Sequence, residues 1–189
     1  MKTFGLKIFS VLLISVLIFQ NCNKDEEQVS MFIGNYVITE ALIAESFTIP
    51  VIGLGNVPVL VNTPVTEAIQ TALLSAVTCS SPDKSYIELR DDFSLYLTCE
   101  GANALNGGTW AEASSTELQL NLNSTAVPTS PSGIALTVTD VNKTGNILTG
   151  KTSVPMPKEF IAAIVAPMTL DDSAPSIYVI KISLKFTQK

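Results

Sequence analysis

The residues able to do chemistry in this 189-residue chain are few: three cysteines, two Asp-Asp pairs and no histidine. Without histidine neither a Ser-His-Asp nor a Cys-His nucleophile can be assembled, and imidazole ligation of a metal is excluded. Asp91-Asp92 and Asp171-Asp172 remain, because two carboxylates about 5 to 9 Å apart can hydrolyse a glycosidic bond. Both pairs stand in turn-like stretches, where aspartate bonds to nearby backbone for local reasons. The expectation is a binding or interaction protein rather than an enzyme, with no cofactor and no metal site.

Two of the cysteines bracket the stretch around which the chain is organised. Between Cys79 and Cys99, Arg90-Asp91-Asp92 separates two apolar-alternating runs, Tyr86 to Leu89 and Phe93 to Leu97, as a β-hairpin requires. A turn at Asp91-Asp92 brings both cysteines to the hairpin's open end, where a disulfide forms if their Cα atoms come within about 7 Å.

The third cysteine closes a different pattern. Lys2 and Lys7 precede an uncharged apolar run from Ile8 to Phe19, too short to span a bilayer, so residues 1–21 read as a secretory signal. Phe19-Gln20-Asn21-Cys22 resembles the lipobox of bacterial lipoproteins, which implies that Cys22 carries the acyl chains and anchors the protein to a membrane. Asn23-Lys24-Asp25-Glu26-Glu27 resembles the signal that marks some lipoproteins for the cell surface; a plain solvated tether is the alternative. Residues 22–30 are then the tether and residues 31–189 the folded domain.

Eleven Lys and Arg against 17 Asp and Glu give a net charge of −6, and −8 once Lys2 and Lys7 leave with the leader. That sign excludes nucleic acid as a partner. With 47% hydrophobic and 15% charged residues, the domain has the apolar content of a large core. Composition leaves the oligomeric state open.

Along the domain, Met31 to Glu40 reads as a first strand. Phe47 to Val61 is uncharged and punctuated by Pro50, Gly53, Gly55 and Pro58, which suits an edge strand or a lid-like loop and excludes a helix. Thr63-Pro64-Val65-Thr66-Glu67 has the order of a helix start, and Val65, Ala68, Ile69, Ala72, Leu73, Ala76 and Val77 follow at helical spacing. After the disulfide hairpin, Leu118, Leu120 and Leu122 alternate with polar residues. Strands are then expected over Ile134 to Val141, Ile147 to Val154 and Ser176 to Thr187, with a break at Pro155-Met156-Pro157. Repeated one-sided strands predict a closed antiparallel barrel or a sandwich.

Taken in order, the lipoprotein cysteine, Gly34-Asn35-Tyr36 as a GxW-like first strand, a helix ending in a cysteine, the Tyr86 to Cys99 hairpin and Gly108-Thr109-Trp110 resemble the lipocalin-like domain family of bacterial outer-membrane lipoproteins. The resemblance implies a mainly β fold, an up-and-down lipocalin-like β-barrel with one amphipathic α-helix packed against it, and a cavity for a small hydrophobic ligand. Phe93, Leu95, Trp110, Leu118 and Leu120 are the expected inward residues and cavity candidates. Two functions follow from this reading: a lipid-anchored binding protein, or a surface lipoprotein with a solid core that meets another macromolecule. Either is expected at the outer membrane, on the cell surface or, alternatively, on the periplasmic face.

Overall fold

The computed structural model describes residues 29–189 other than 75, 76, 78, 80, 82, 83, 128 and 129, with backbone alone for 72–74. The expected leader, Cys22 and most of the tether lie outside the described residues. Among the described residues ten strands run β1 (Gly34–Ile43), β2 (Phe47–Val51), β3 (Gly55–Val59), β4 (Ser85–Leu89), β5 (Ser94–Cys99), β6 (Leu105–Ser114), β7 (Glu117–Leu122), β8 (Ile134–Thr144), β9 (Ile147–Pro157) and β10 (Ile177–Gln188), interrupted by two helices, α1 (Thr66–Leu74) and α2 (Lys158–Ile164).

Strands β4 to β10 pair with their neighbours in chain order, and β1 closes the ring between β10 and β4. The result is the expected closed, antiparallel, eight-stranded barrel. Closure rests on seven register pairs between β1 and β10 and three between β1 and β4. Alternation explains the fold: on β10, Tyr178, Ile180, Ile182, Leu184 and Phe186 are buried, while Val179 and Lys181 face out. β7 does the same with Leu118, Leu120 and Leu122.

The two barrel ends differ. At one end β4–β5, β6–β7 and β8–β9 are joined by short turns, and we call this the closed end. At the other, the open end, β5 and β6 are joined by residues 100–104 and the other connections are long: residues 44–84 carry β2, β3 and α1, residues 123–133 link β7 to β8, and residues 158–176 carry α2. The uncharged segment from Phe47 is a separate two-stranded hairpin, β2–β3, whose Ile49, Val51 and Val59 are buried and whose tip exposes Ile52 and Leu54.

Three local expectations are corrected. The helix begins at Thr66, not at Pro64 behind an N-cap Thr63, because β1 holds the preceding residues: Pro64 bridges Leu42, and the Val65 N–H donates to Ala41 O. Thr66 Oγ1, in turn, accepts from the Ala41 N–H at 2.9 Å. Second, β9 continues through Pro155-Met156-Pro157. The Lys158 N–H donates to Ser176 O, so by alternation the missing N–H groups of Pro155 and Pro157 point away from β10. On that side β9 pairs with β8 only as far as Lys151, so no ladder bond is lost. Third, Phe93 is not an inward strand residue. It occupies the turn at φ 62° and is 53% exposed.

The hairpin and its disulfide form as expected, with Cys79 and Cys99 Cα atoms 5.6 Å apart. The bridge ties the chain just after α1 to the open-end terminus of β5. It closes a loop over a sequence separation of 20, which removes chain entropy from the unfolded state equivalent to about 3 kcal/mol. Reduction is therefore expected to lower stability by about 3 kcal/mol without opening the barrel, measured as a shift in the urea midpoint with and without reductant.

Candidate ligand cavity

The closed half of the barrel is filled by large side chains. Trp110, Tyr36 and Phe32 are at most 1% exposed, and the Tyr36 and Phe186 rings meet edge to face at 6.4 Å. Trp110 is aimed inward from β6 just after a bulge. There Gly108 sits at φ 137°, and a Cβ on it would stand 1.9 Å from the Asn121 carbonyl oxygen, so only glycine fits. The indole N–H donates to the Arg90 carbonyl at 2.9 Å. Arg90 is itself fixed by two bonds to Glu88, at 2.8 and 2.9 Å, and lies 3.7 Å from the Tyr96 ring centroid. Phe93 closes the outside, its ring 5.3 Å from Trp110. The space left in this half is about 20 Å³, lined in part by Leu118 and Leu120. Leu95 is wholly buried in the packing.

The open half is hollow. A cavity of about 410 Å³ lies between β7, β8, β9, β10 and the open-end connections. Its wall is built from Ile134 and Leu136 on β8, Val154 and Met156 on β9, and Ile177, Ile182 and Leu184 on β10. Ile69 of α1 and Phe160 of α2 contribute from the ends, and Val127, Ser130 and Gly133 from the 123–133 loop. That volume falls within the range of about 300–1,000 Å³ typical of small-molecule sites. The difference between the halves follows from side-chain size. The inward aromatics Tyr36, Trp110 and Phe186 lie towards the short turns, whereas at the other end the inward Tyr178 packs against Phe47, 6.0 Å between ring centroids, and leaves the cavity wall mainly to aliphatic residues. The unpaired stretch of β8 and β9 beyond Lys151 widens this half further.

None of the five expected cavity residues lines the large cavity. Leu118 and Leu120 touch only the small closed-end void, Leu95 and Trp110 pack the core, and Phe93 is on the surface. The wall residues escaped sequence reasoning because alternation marks a residue as inward without saying which end of the barrel it faces. The weight of inward strand aromatics beside the short turns, Tyr36, Trp110 and Phe186 against Tyr178 alone at the other end, is the signal that separates the ends.

The two acid pairs are not brought together: Asp91 and Asp92 occupy the closed-end β4–β5 turn, Asp171 and Asp172 the open-end connection before β10. Each is used locally. Asp92 is held below the usual carboxylate range first by the Ser94 hydroxyl and then by the Ser94 N–H. Asp171 is lowered in the same way, first by the Ser173 N–H at 2.9 Å and then by its hydroxyl at 2.7 Å.

No family model and no curated protein matches the chain.

Burial pushes the Tyr36 and Tyr178 phenols above their ordinary value of 10.0. A group that keeps its proton longer when folded stabilises the fold fully below its unfolded pKa, and that contribution is lost as pH rises through the folded value. Stability should therefore fall above about pH 10. The urea midpoint measured against pH checks this, and Tyr36→Phe should reduce the alkaline loss.

Proposed function

We propose that this chain is a lipid-anchored bacterial lipoprotein that binds a small hydrophobic molecule in the open-end cavity of its barrel. The observation that carries the reading is the cavity itself: about 410 Å³ walled almost entirely by aliphatic side chains and Phe160. The resemblance to lipocalin-like lipoproteins supports it. The leader and the position of Cys22 at its end support the anchor, and a disulfide suits an exported chain in an oxidising compartment. The Asn23 to Glu27 stretch favours the cell surface over the periplasmic face of the outer membrane.

The reading places the tether and the mouth at opposite ends. Met31 O accepts from Lys143 Nζ, and Ser30 Oγ donates to Glu112, both near closed-end turns. A domain anchored there presents its mouth away from the tether.

A second reading is favoured by one observation. The β2–β3 tip and the residues after it expose Ile52, Leu54, Leu60 and Val61 within an uncharged segment, a surface suited to contact with another macromolecule.

Native mass spectrometry of the full chain, followed by extraction, tests the binding reading: a reproducible apolar adduct is expected. Leu136→Trp, which fills the cavity from β8, should weaken that adduct at least tenfold while leaving the fold intact. A wild-type chain that carries no adduct and takes up no aliphatic probe would move the weight to the second reading.

A further inference from the structure

We infer that the open-end part of β10 is a docking edge for a second copy of this chain, the two β10 strands pairing antiparallel into one continuous sheet. This goes beyond the binding function proposed above and does not depend on the cavity.

Beyond the closed part of the ring, β10 outruns its neighbour. β1 pairs with it only as far as Ile182, the partner of Ile43, whereas β10 starts at Ile177. The last main-chain bond on that side is the Ala44 N–H donating to Lys181 O at 2.8 Å. Main-chain groups point to alternate sides along a strand, so those of Ile177 and Val179 point the same way as those of Lys181. Among the described residues nothing pairs with them on that side. Their side chains are open as well, Ile177 at 59% and Val179 at 74% exposure. Free donors and acceptors flanked by exposed apolar side chains make the kind of edge to which another strand adds.

The opposite margin of the same two-stranded ribbon is blunted. β9 also runs unpaired with β8 beyond Lys151, but Pro155 and Pro157 remove the donors there. β10 carries no proline and no charge between Ile177 and Ile180.

The edge is complementary to itself. A twofold axis beside Tyr178 sets Ile177 of one copy opposite Val179 of the other, and all four residues then turn both their N–H and C=O to the seam. A slip of one residue would set them against residues whose main-chain groups face β9 instead. Pro157 and Pro155 lie across from Ile177 and Val179 on the same exposed face, so apolar surface continues outward from the seam in both copies. Charge selects the same place. The chain carries a net charge of −6 and repels its copies, but Ser173 to Ile180 is uncharged, between Asp172 and Lys181, so contact here brings no acid against acid.

The test is sedimentation equilibrium of the full chain carrying Cys22→Ser, at up to about 1 mM. We expect a monomer–dimer equilibrium that Val179→Pro weakens about tenfold or more, since the proline deletes one seam donor in each copy. That N–H has no partner inside the barrel, so the variant should keep the wild-type circular dichroism. Register is read by oxidative cross-linking on the same Cys22→Ser background. An Ile177→Cys copy mixed with a Val179→Cys copy should cross-link, because opposed residues of such a pair have Cα atoms about 5.5 Å apart. Val179→Cys alone should cross-link about tenfold more slowly, its two cysteines being offset by two residues and about 8 Å apart. A chain that stays monomeric, a dimer indifferent to Val179→Pro, or equal cross-linking with and without the Ile177→Cys copy overturns the inference. If the proline variant loses its fold, the cross-linking pattern decides.

Discussion

β1 carries the constraint on which the rest of the structure depends. Every other barrel strand pairs with neighbours close to it in sequence, whereas β1 must satisfy β10, at the far end of the chain, and β4, across a 41-residue excursion. Its backbone donors and acceptors are what turn a seven-stranded meander into a ring without edges. The three-pair junction with β4 is the shortest in the barrel. It is buttressed from the next segment, since Thr66 and Val65 bond back to Ala41, and Gln70 Nε2 donates to Ile38 O at 2.6 Å. The helix start thus doubles as a brace for the closing strand.

Once the ring is closed, the distribution of side-chain volume decides what the interior does. Eight strands enclose a space that side chains can fill or a small ligand can share. Here both happen, one in each half. Trp110, Tyr36, Phe32 and Phe186 consolidate the closed end, and the Arg90 backbone and guanidinium hold the surrounding turn. The opposite half packs its one inward strand aromatic, Tyr178, against Phe47, leaves the cavity wall mainly to aliphatic side chains, and lacks β8–β9 pairing beyond Lys151. Stability and binding space are therefore separated along the barrel axis, and a change in the wall of one half leaves the packing of the other largely untouched.

Much of this was legible in the sequence, for reasons that can be named. Period-two alternation in β7 and β10 is unambiguous, and the Cys79–Cys99 spacing about a polar turn announces its own bridge. Phe93 misled because its aromatic type suits a strand, while the turn required a residue at positive φ; packing against Trp110 holds it there. The prolines of β9 misled because a missing donor matters only where a partner strand is present. The cavity wall was not legible at all, since it depends on which ends of the strands share a mouth, a property of register and not of local pattern. The acid pairs were rightly read as turn residues: Asp92 and Asp171 each bond to the serine two positions on.

The short β1–β4 junction has a mechanical consequence. A chain held by its N-terminus transmits any pull through Phe32 to the first residues of β1, where Gly34 to Tyr36 pair with β4 and Tyr36 to Ile38 with β10. Load applied along that strand runs perpendicular to its inter-strand hydrogen bonds and shears both ladders at once, so the seven pairs with β10 carry most of it and the three with β4 little. The deep burial of Phe32 is then the latch that must give way before the seam begins to open.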